Sequence, residues 1–177
     1  MNESSWVTGL FSDRNSAERA YDALTESGYG SEDINVLMSE ETRKRHFSEK
    51  EIETELGNKA AEGAGVGGAI GGTVGAIAAA LAAVGTSLVV PGLGLVVAGP
   101  LAAALAGAGA GAATGGLVGA LVGWRIPEEH VKRYEERLRD GDILLGFQPK
   151  TDTDRERFHR EWNSELDREV LRQVSIT

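Results

Sequence analysis

One stretch of this chain, residues 63–124, constrains the fold more than any other, because it contains no Asp, Glu, Lys, Arg or His. Glycine recurs there at every fourth position in two arms, which places these glycines along one face of a helix and leaves a groove with almost no side chains. The helix-packing glycines of the two arms are Gly63, Gly67, Gly71 and Gly75, then Gly107, Gly111, Gly115, Gly119 and Gly123.

Branched side chains accompany the glycines of the first arm. They follow one another at steps of three and four residues: Val66, Ile70, Val74, Ile77, Leu81, Val84 and Leu88. This spacing predicts helices, the first from Gly63 to Val90 and the second from Pro100 to Gly123. A glycine inside a helix costs about 0.8–1 kcal/mol relative to alanine, so the arms need close packing on each other or on copies of the chain.

An apolar turn, residues 86–100, joins the two predicted arms. Pro91, Gly92, Gly99 and Pro100 are helix breakers that bracket its tip. The tip lacks the polar residues of an ordinary loop. We therefore expect it at a re-entrant apex within a bilayer, in a translocated apolar loop, or at the centre of an oligomer.

Each arm is long enough to cross the roughly 30 Å of bilayer hydrocarbon, although its branched residues contribute only about −2 to −4 kcal/mol of insertion free energy. We predict a glycine-zipper hairpin inserted in the cytoplasmic membrane. The alternative is a soluble homo-oligomer, a scaffold or shell-like assembly with the hairpins as its interior. Trp124 and Arg125 suit an anchor at the membrane interface, but a core position in the globular domain explains Trp124 equally well. Basic residues flank the hairpin and are absent from its turn, so both charged ends are expected in the cytoplasm.

The flanks of the hairpin predict a small α+β domain. Before it, a strand at Trp6–Phe11, a helix and a second strand at 34–38 suggest a β-α-β crossover with parallel pairing. After it come a helix from Pro127 and a third strand at 143–147. We predict one discontinuous domain of ferredoxin-like type, residues 1–58 and 125–149, interrupted by the hairpin at 59–124. No run suggests a fourth strand, so a partner chain is its expected source.

Residues 150–177 predict an amphipathic C-terminal helix. Its apolar side chains follow at steps of four residues and form a stripe suited to docking: Phe158, Trp162, Leu166, Val170 and Val174. The pattern does not indicate what this stripe docks on.

The motifs that could carry chemistry all have simpler explanations. The segment Gly63–Gly68 matches GxGxxG, but a charged segment precedes it where a nucleotide site needs a strand, and no acidic residue follows before Arg125. Glu128 and Glu129 stand in the first turn of a predicted helix, where the helix dipole accounts for them. The three histidines are scattered without zinc-like spacing: His46, His130 and His159.

The composition of the chain limits the kinds of partner and chemistry that we expect. The chain has a net charge of −9 and no concentrated basic patch, which argues against binding nucleic acid through phosphates. It has no cysteine, so disulfide and thiol chemistry are excluded. We predict a protein without catalytic residues, metal or cofactor, whose partners are copies of itself and a lipid bilayer.

Several short segments resemble the bacterial general stress (heat-induced stress) protein family. They are Val7–Phe11, Ala17–Ala20, Gly28-Tyr29, Asp33-Ile34, Val36–Ser39, the Pro91-Gly92 and Gly99-Pro100 pairs, Ile126–Glu129 and Tyr134-Glu135. The resemblance covers residues 6–147 and implies a bacterial source, stress induction and no known catalytic activity. The predicted function is therefore a non-enzymatic stress protein that self-associates through its glycine-zipper hairpin. A small-molecule binding module built on the α+β sheet is a further alternative.

Overall fold

A computed structural model describes residues 6–47, 77, 81, 88–90, 94–107 and 128–162. The strands are β1 (Val7–Phe11), β2 (Ile34–Ser39), β3 (Leu88–Val90), β4 (Leu95–Ala98) and β5 (Ile143–Phe147). The helices are α1 (Arg14–Glu26), α2 (Glu40–His46), α3 (Pro100–Gly107) and α4 (Glu128–Asp140), followed by a C-terminal helix whose described part spans residues 152–162. The predicted α+β class is confirmed, and the sheet is antiparallel.

The five strands form one sheet in the order β1-β5-β2-β4-β3, and every neighbouring pair is antiparallel. β1 and β2 run parallel to each other, but β5 lies between them, with Phe147 opposite both Val7 and Ile34. The predicted direct pairing of β1 with β2 is therefore wrong. The local strand-helix-strand order sets the direction of β2 but not its neighbour, and β5, whose five residues are all buried, lies between β1 and β2.

The predicted apolar turn contains two strands of the sheet. β4 pairs with β2 and β3 pairs with β4, so the fourth strand comes from this chain and not from a partner as expected. Residues 88–90 are accordingly strand, not the end of the first helical arm. Their pairing is consistent with the β-branched doublets Val89-Val90 and Val96-Val97, which favour extended backbone.

Helices cover both faces of the sheet. On the α1 face, strand side chains such as Met38 and Leu145 pack with α1, the C-terminal helix, Phe47, Ile77 and Leu81. On the α4 face, the intervening side chains pack with α3 and α4. Because both faces are buried, the strands carry nearly continuous apolar runs instead of alternating with polar residues.

The ends of α1 and α4 follow from local sequence signals. The Asp13 side chain accepts a hydrogen bond of 2.9 Å from the backbone N–H of Ser16, which caps the start of α1. Gly28 follows α1 with a φ of 86°, and Gly141 follows α4 with a φ of 114°. Both glycines adopt the left-handed conformation that commonly ends helices, as their positions in the sequence predict.

Candidate interaction surface

The structure describes only part of the predicted helix-packing and anchor residues. Of the nine repeated glycines it describes Gly107, the last residue of α3. Gly99 and Pro100 are described at the junction of β4 and α3. The remaining predicted positions lie outside the described residues: the other eight zipper glycines, Pro91, Gly92, Trp124, Arg125, Leu166 and Val170.

The described parts of the two arms lie on opposite faces of the sheet. Ile77 and Leu81 of the first arm are buried on the α1 face, whereas Leu101 and Ala102 of the second are buried on the α4 face. The sheet separates these four residues, so they do not pair arm against arm as a simple helical hairpin would. This separation was not predicted, because glycine spacing reports a helical face but not which surface that face meets.

The side chain of Glu18 in α1 binds the backbone of the first arm. Its Oε2 accepts a hydrogen bond of 3.0 Å from the N–H of Ile77, and its Oε1 lies 3.6 Å from Nε of Arg14. Arg14 in turn donates to the His46 carbonyl at 2.8 Å and lies 4.9 Å from the centroid of the Phe47 ring. Burial raises the pKa of the Glu18 carboxyl, and the Ile77 N–H and Arg14 offset part of this increase. α1 and the glycine-rich stretch therefore meet at a buried charge.

The raised pKa of Glu18 predicts how the stability of the fold depends on pH. The folded chain holds a proton on Glu18 more tightly than the unfolded chain, so this group's contribution to stability falls as pH rises above the ordinary glutamate pKa. Glu18→Gln keeps an acceptor for the Ile77 N–H and removes the titration. We expect its advantage in unfolding free energy over the wild type to shrink as pH falls from 7 to 4, measured by urea unfolding.

A Glu18→Ala variant is the control for this prediction. It leaves the Ile77 N–H without its acceptor, so we expect it to be less stable than Glu18→Gln by about 1–3 kcal/mol at every pH in the same range, because neither variant titrates at this position. A Glu18→Gln variant whose difference from the wild type does not change with pH would contradict a buried, titrating Glu18.

Asn35 fixes the start of the second arm. It is fully buried in β2, and its Oδ1 accepts a hydrogen bond of 2.7 Å from the N–H of Leu101 in the first turn of α3. Such N–H groups have no partner inside their own helix and need a side-chain acceptor when buried. Here the acceptor comes from β2 and not from the residue that precedes the helix. A single Asn within an apolar strand is the signal for this role, which sequence reasoning missed.

The predicted docking residues Phe158 and Trp162 lie buried on the α1 face of the same chain. Trp162 meets Phe11 and Phe147 edge to face, with ring centroids 5.7 and 5.4 Å apart, and Phe158 meets Phe147 at 5.1 Å. Edge-to-face geometry is a favoured arrangement for aromatic pairs. The described part of the C-terminal helix therefore belongs to the core of the α+β domain.

Polar contacts hold the first turn of the C-terminal helix in place. The Tyr29 hydroxyl donates to Oδ2 of Asp154 at 2.8 Å and accepts from the backbone N–H of Lys150 at 2.9 Å. Nζ of Lys150 bonds Oδ2 of Asp33 at 2.7 Å, and this ion pair lowers the pKa of Asp33. Burial raises the pKa of Tyr29, which keeps its hydroxyl protonated and able to donate. These contacts join the start of the C-terminal helix to the residues that precede β2.

The described residues show neither a cluster of metal ligands nor a membrane-spanning helix. They contain no group of three or more His, Cys, Asp or Glu side chains that could hold a metal ion. Within the same ranges, no helix combines the length and the apolar composition that a membrane crossing requires. A comparison of the chain with protein-family models, with curated proteins and with solved structures finds no match. Its function must therefore be inferred from its own residues.

Proposed function

We propose that this chain is a non-enzymatic protein that self-associates, with the glycine-rich segments of neighbouring copies packing together around a folded α+β domain. The observation that carries the proposal is the placement of Ile77 and Leu81 on one face of the sheet and of Leu101 and Ala102 on the other. Arms that start on opposite faces are poorly placed to mate within one chain. Their side-chain-free ridges are then available to other copies.

The chain's connections favour the homo-oligomer over the membrane hairpin. Residues 48–76 connect Phe47 with Ile77, both on the α1 face, and residues 108–127 connect α3 with α4 on the other face. These segments number about 29 and about 20 residues, whereas crossing a bilayer and returning as helix needs about 40. β4, which the membrane hypothesis places at the tip of the hairpin, pairs inside the sheet.

The ferredoxin-like type is part of the proposal. β1 and β2 are connected through α1 and have β5 between them, and β4 and β5 have β2 between them. Two interlocked split β-α-β units support the assignment, although β1 lies at an edge of the sheet where a ferredoxin-like fold has its first strand in the interior. The helices on both faces are a departure from α+β folds with helices on one side only. The bacterial stress setting rests on the resemblance over residues 6–147.

Leucines on the glycine ridges test the proposal. In Gly71→Leu with Gly115→Leu, each added side chain stands where two helices must approach closely. We expect the dissociation constant of the assembly to rise at least about ten-fold, which is about 1.4 kcal/mol, measured by light scattering after size exclusion without detergent. The control, Ala69→Leu with Ala113→Leu, places the same leucine side chains two residues away, on the other side of each predicted helix.

Two results would overturn this proposal. An unchanged assembly size in the glycine double variant, with the control also unchanged, would remove the ridges from the interface. Recovery of the wild type only in the membrane pellet after ultracentrifugation, with release by detergent, would support the inserted hairpin instead. A wild-type chain that stays in the supernatant as a particle of defined size supports the proposal.

A further inference from the structure

β3 forms one outer edge of the sheet and exposes its central residue. It pairs only with β4 among the described strands. Val89 is 41% exposed, while its cross-strand neighbour Val96 is 1% exposed and belongs to the core of the α1 face. No other large apolar side chain in the described part of the chain is classed as exposed. An exposed valine therefore lies at this edge, directly beside the core.

The backbone of β3 is suited to accept another strand. In an antiparallel ladder, alternate residues point their N–H and C=O groups toward one neighbour and the others point them to the opposite side. At least one of the three residues of β3 therefore directs both groups away from β4. Rows of such groups on edge strands are templates for pairing with a second chain.

β3 lacks the charged side chains that usually protect an edge strand. Native edge strands are commonly protected by charged side chains, lysine above all. β3 lies inside the uncharged run 63–124, so two copies meet there without like charges in the strand or its neighbours in sequence, although each chain carries a net charge of −9. A second copy is the partner that this edge fits, because an apolar, uncharged strand is complementary to itself.

We propose that β3 pairs antiparallel with β3 of a second copy about a two-fold axis at Val89. The pairing sets Val89 opposite Val89 of the second copy, and Leu88 opposite Val90, and it joins two five-stranded sheets into one. Each such cross-strand apolar pair contributes about 0.2–1 kcal/mol, and the contact is self-complementary as two-fold symmetry requires.

This inference rests on the proposed self-association. A three-residue edge buries far less than the ~1,200 Å² of a stable interface, so β3 orients the copies while the glycine-rich segments supply the remaining area.

The natural lack of cysteine allows a direct test by disulfide trapping. In Val89→Cys the two thiols face each other across antiparallel strands whose Cα atoms lie about 4.5–5.5 Å apart, within the range that a disulfide spans. Asn15→Cys is the control, since Asn15 is exposed on α1, which follows β1 at the opposite edge of the sheet. Under mild oxidation we expect the Val89→Cys chain to form covalent dimers at least about ten-fold faster than the control.

The outcomes separate the edge from the wider proposal. If the wild type assembles but Val89→Cys cross-links no faster than Asn15→Cys, the edge inference fails and the glycine-ridge proposal stands. If the wild type is monomeric at every concentration, both fail. Val89→Lys provides a second readout: it should reduce the assembled fraction where Asn15→Lys, with the same added charge, leaves it unchanged. Equal assembly in both lysine variants would also overturn the edge inference.

Discussion

Replacing Gly99 with alanine is expected to lower the free energy of unfolding by about 2–5 kcal/mol, the sum of a backbone cost of about 1–2 and an overpacking cost of about 1–3. Gly99 links β4 to α3 with a φ of 99°, a conformation that residues with a side chain rarely adopt. A β carbon there would overlap the carbonyl oxygen of Ile34 and approach Cα of Asn35 to 3.1 Å. Both neighbours belong to the backbone of β2, where Ile34 pairs with Phe147 and Asn35 with Gly146 of β5, so this backbone resists displacement.

Gly94 provides the matched control for Gly99. It lies just before β4 with a φ of 62°, but a β carbon at this position meets nothing within 4 Å. Gly94→Ala should therefore show only the conformational cost of about 1–2 kcal/mol. Urea unfolding followed by circular dichroism compares the two variants, and equal losses would mean that the backbone of β2 does not crowd Gly99.

The glycine-rich stretch shows what could be predicted and what could not. Elements defined by neighbouring residues, such as the β1 strand and the Asp13 cap of α1, follow from local propensity and from capping chemistry. The β4 strand could not be predicted in this way, because Val96 and Val97 between glycines suit a membrane apex and a buried strand equally well. Only pairing with β2, which is distant in sequence, distinguishes the two environments.

The candidate interaction surface was predictable to a similar extent. The stripe through Phe158 and Trp162 correctly marks an apolar helical face, but no local pattern names the α1 face as the surface that it meets. Glu18 and Asn35 escaped prediction because each satisfies a backbone N–H from an element far away in sequence. A polar side chain in this role gives no periodic signal. For Asn35, the only signal in the sequence is a polar residue within an apolar strand.

Trp162→Ala is expected to lower the free energy of unfolding by about 3–5 kcal/mol, the usual range for removing a large buried aromatic side chain. Trp162 is 4% exposed and contacts the rings of Phe11, Phe147 and Phe158. Its removal takes away these edge-to-face contacts and leaves a cavity between the C-terminal helix and the sheet. Trp162→Phe keeps an aromatic ring in place and should cost less, as measured by urea unfolding of both variants.

A substitution at Gly9 tests whether the Trp162 ring lies directly over this residue. A β carbon at Gly9 would lie 2.7 Å from Cε3 of Trp162, so Gly9→Ala alone should cost about 1–3 kcal/mol by overpacking. Once Trp162→Ala has removed the ring, the same methyl group faces the cavity and its cost should fall to the small part due to the Phe11 ring, 3.1 Å away. The double variant should then be more stable than the sum of the single effects by about 1–3 kcal/mol. Additive losses would show that the C-terminal helix does not seat Trp162 over Gly9, and docking of this helix on the α1 face would be wrong.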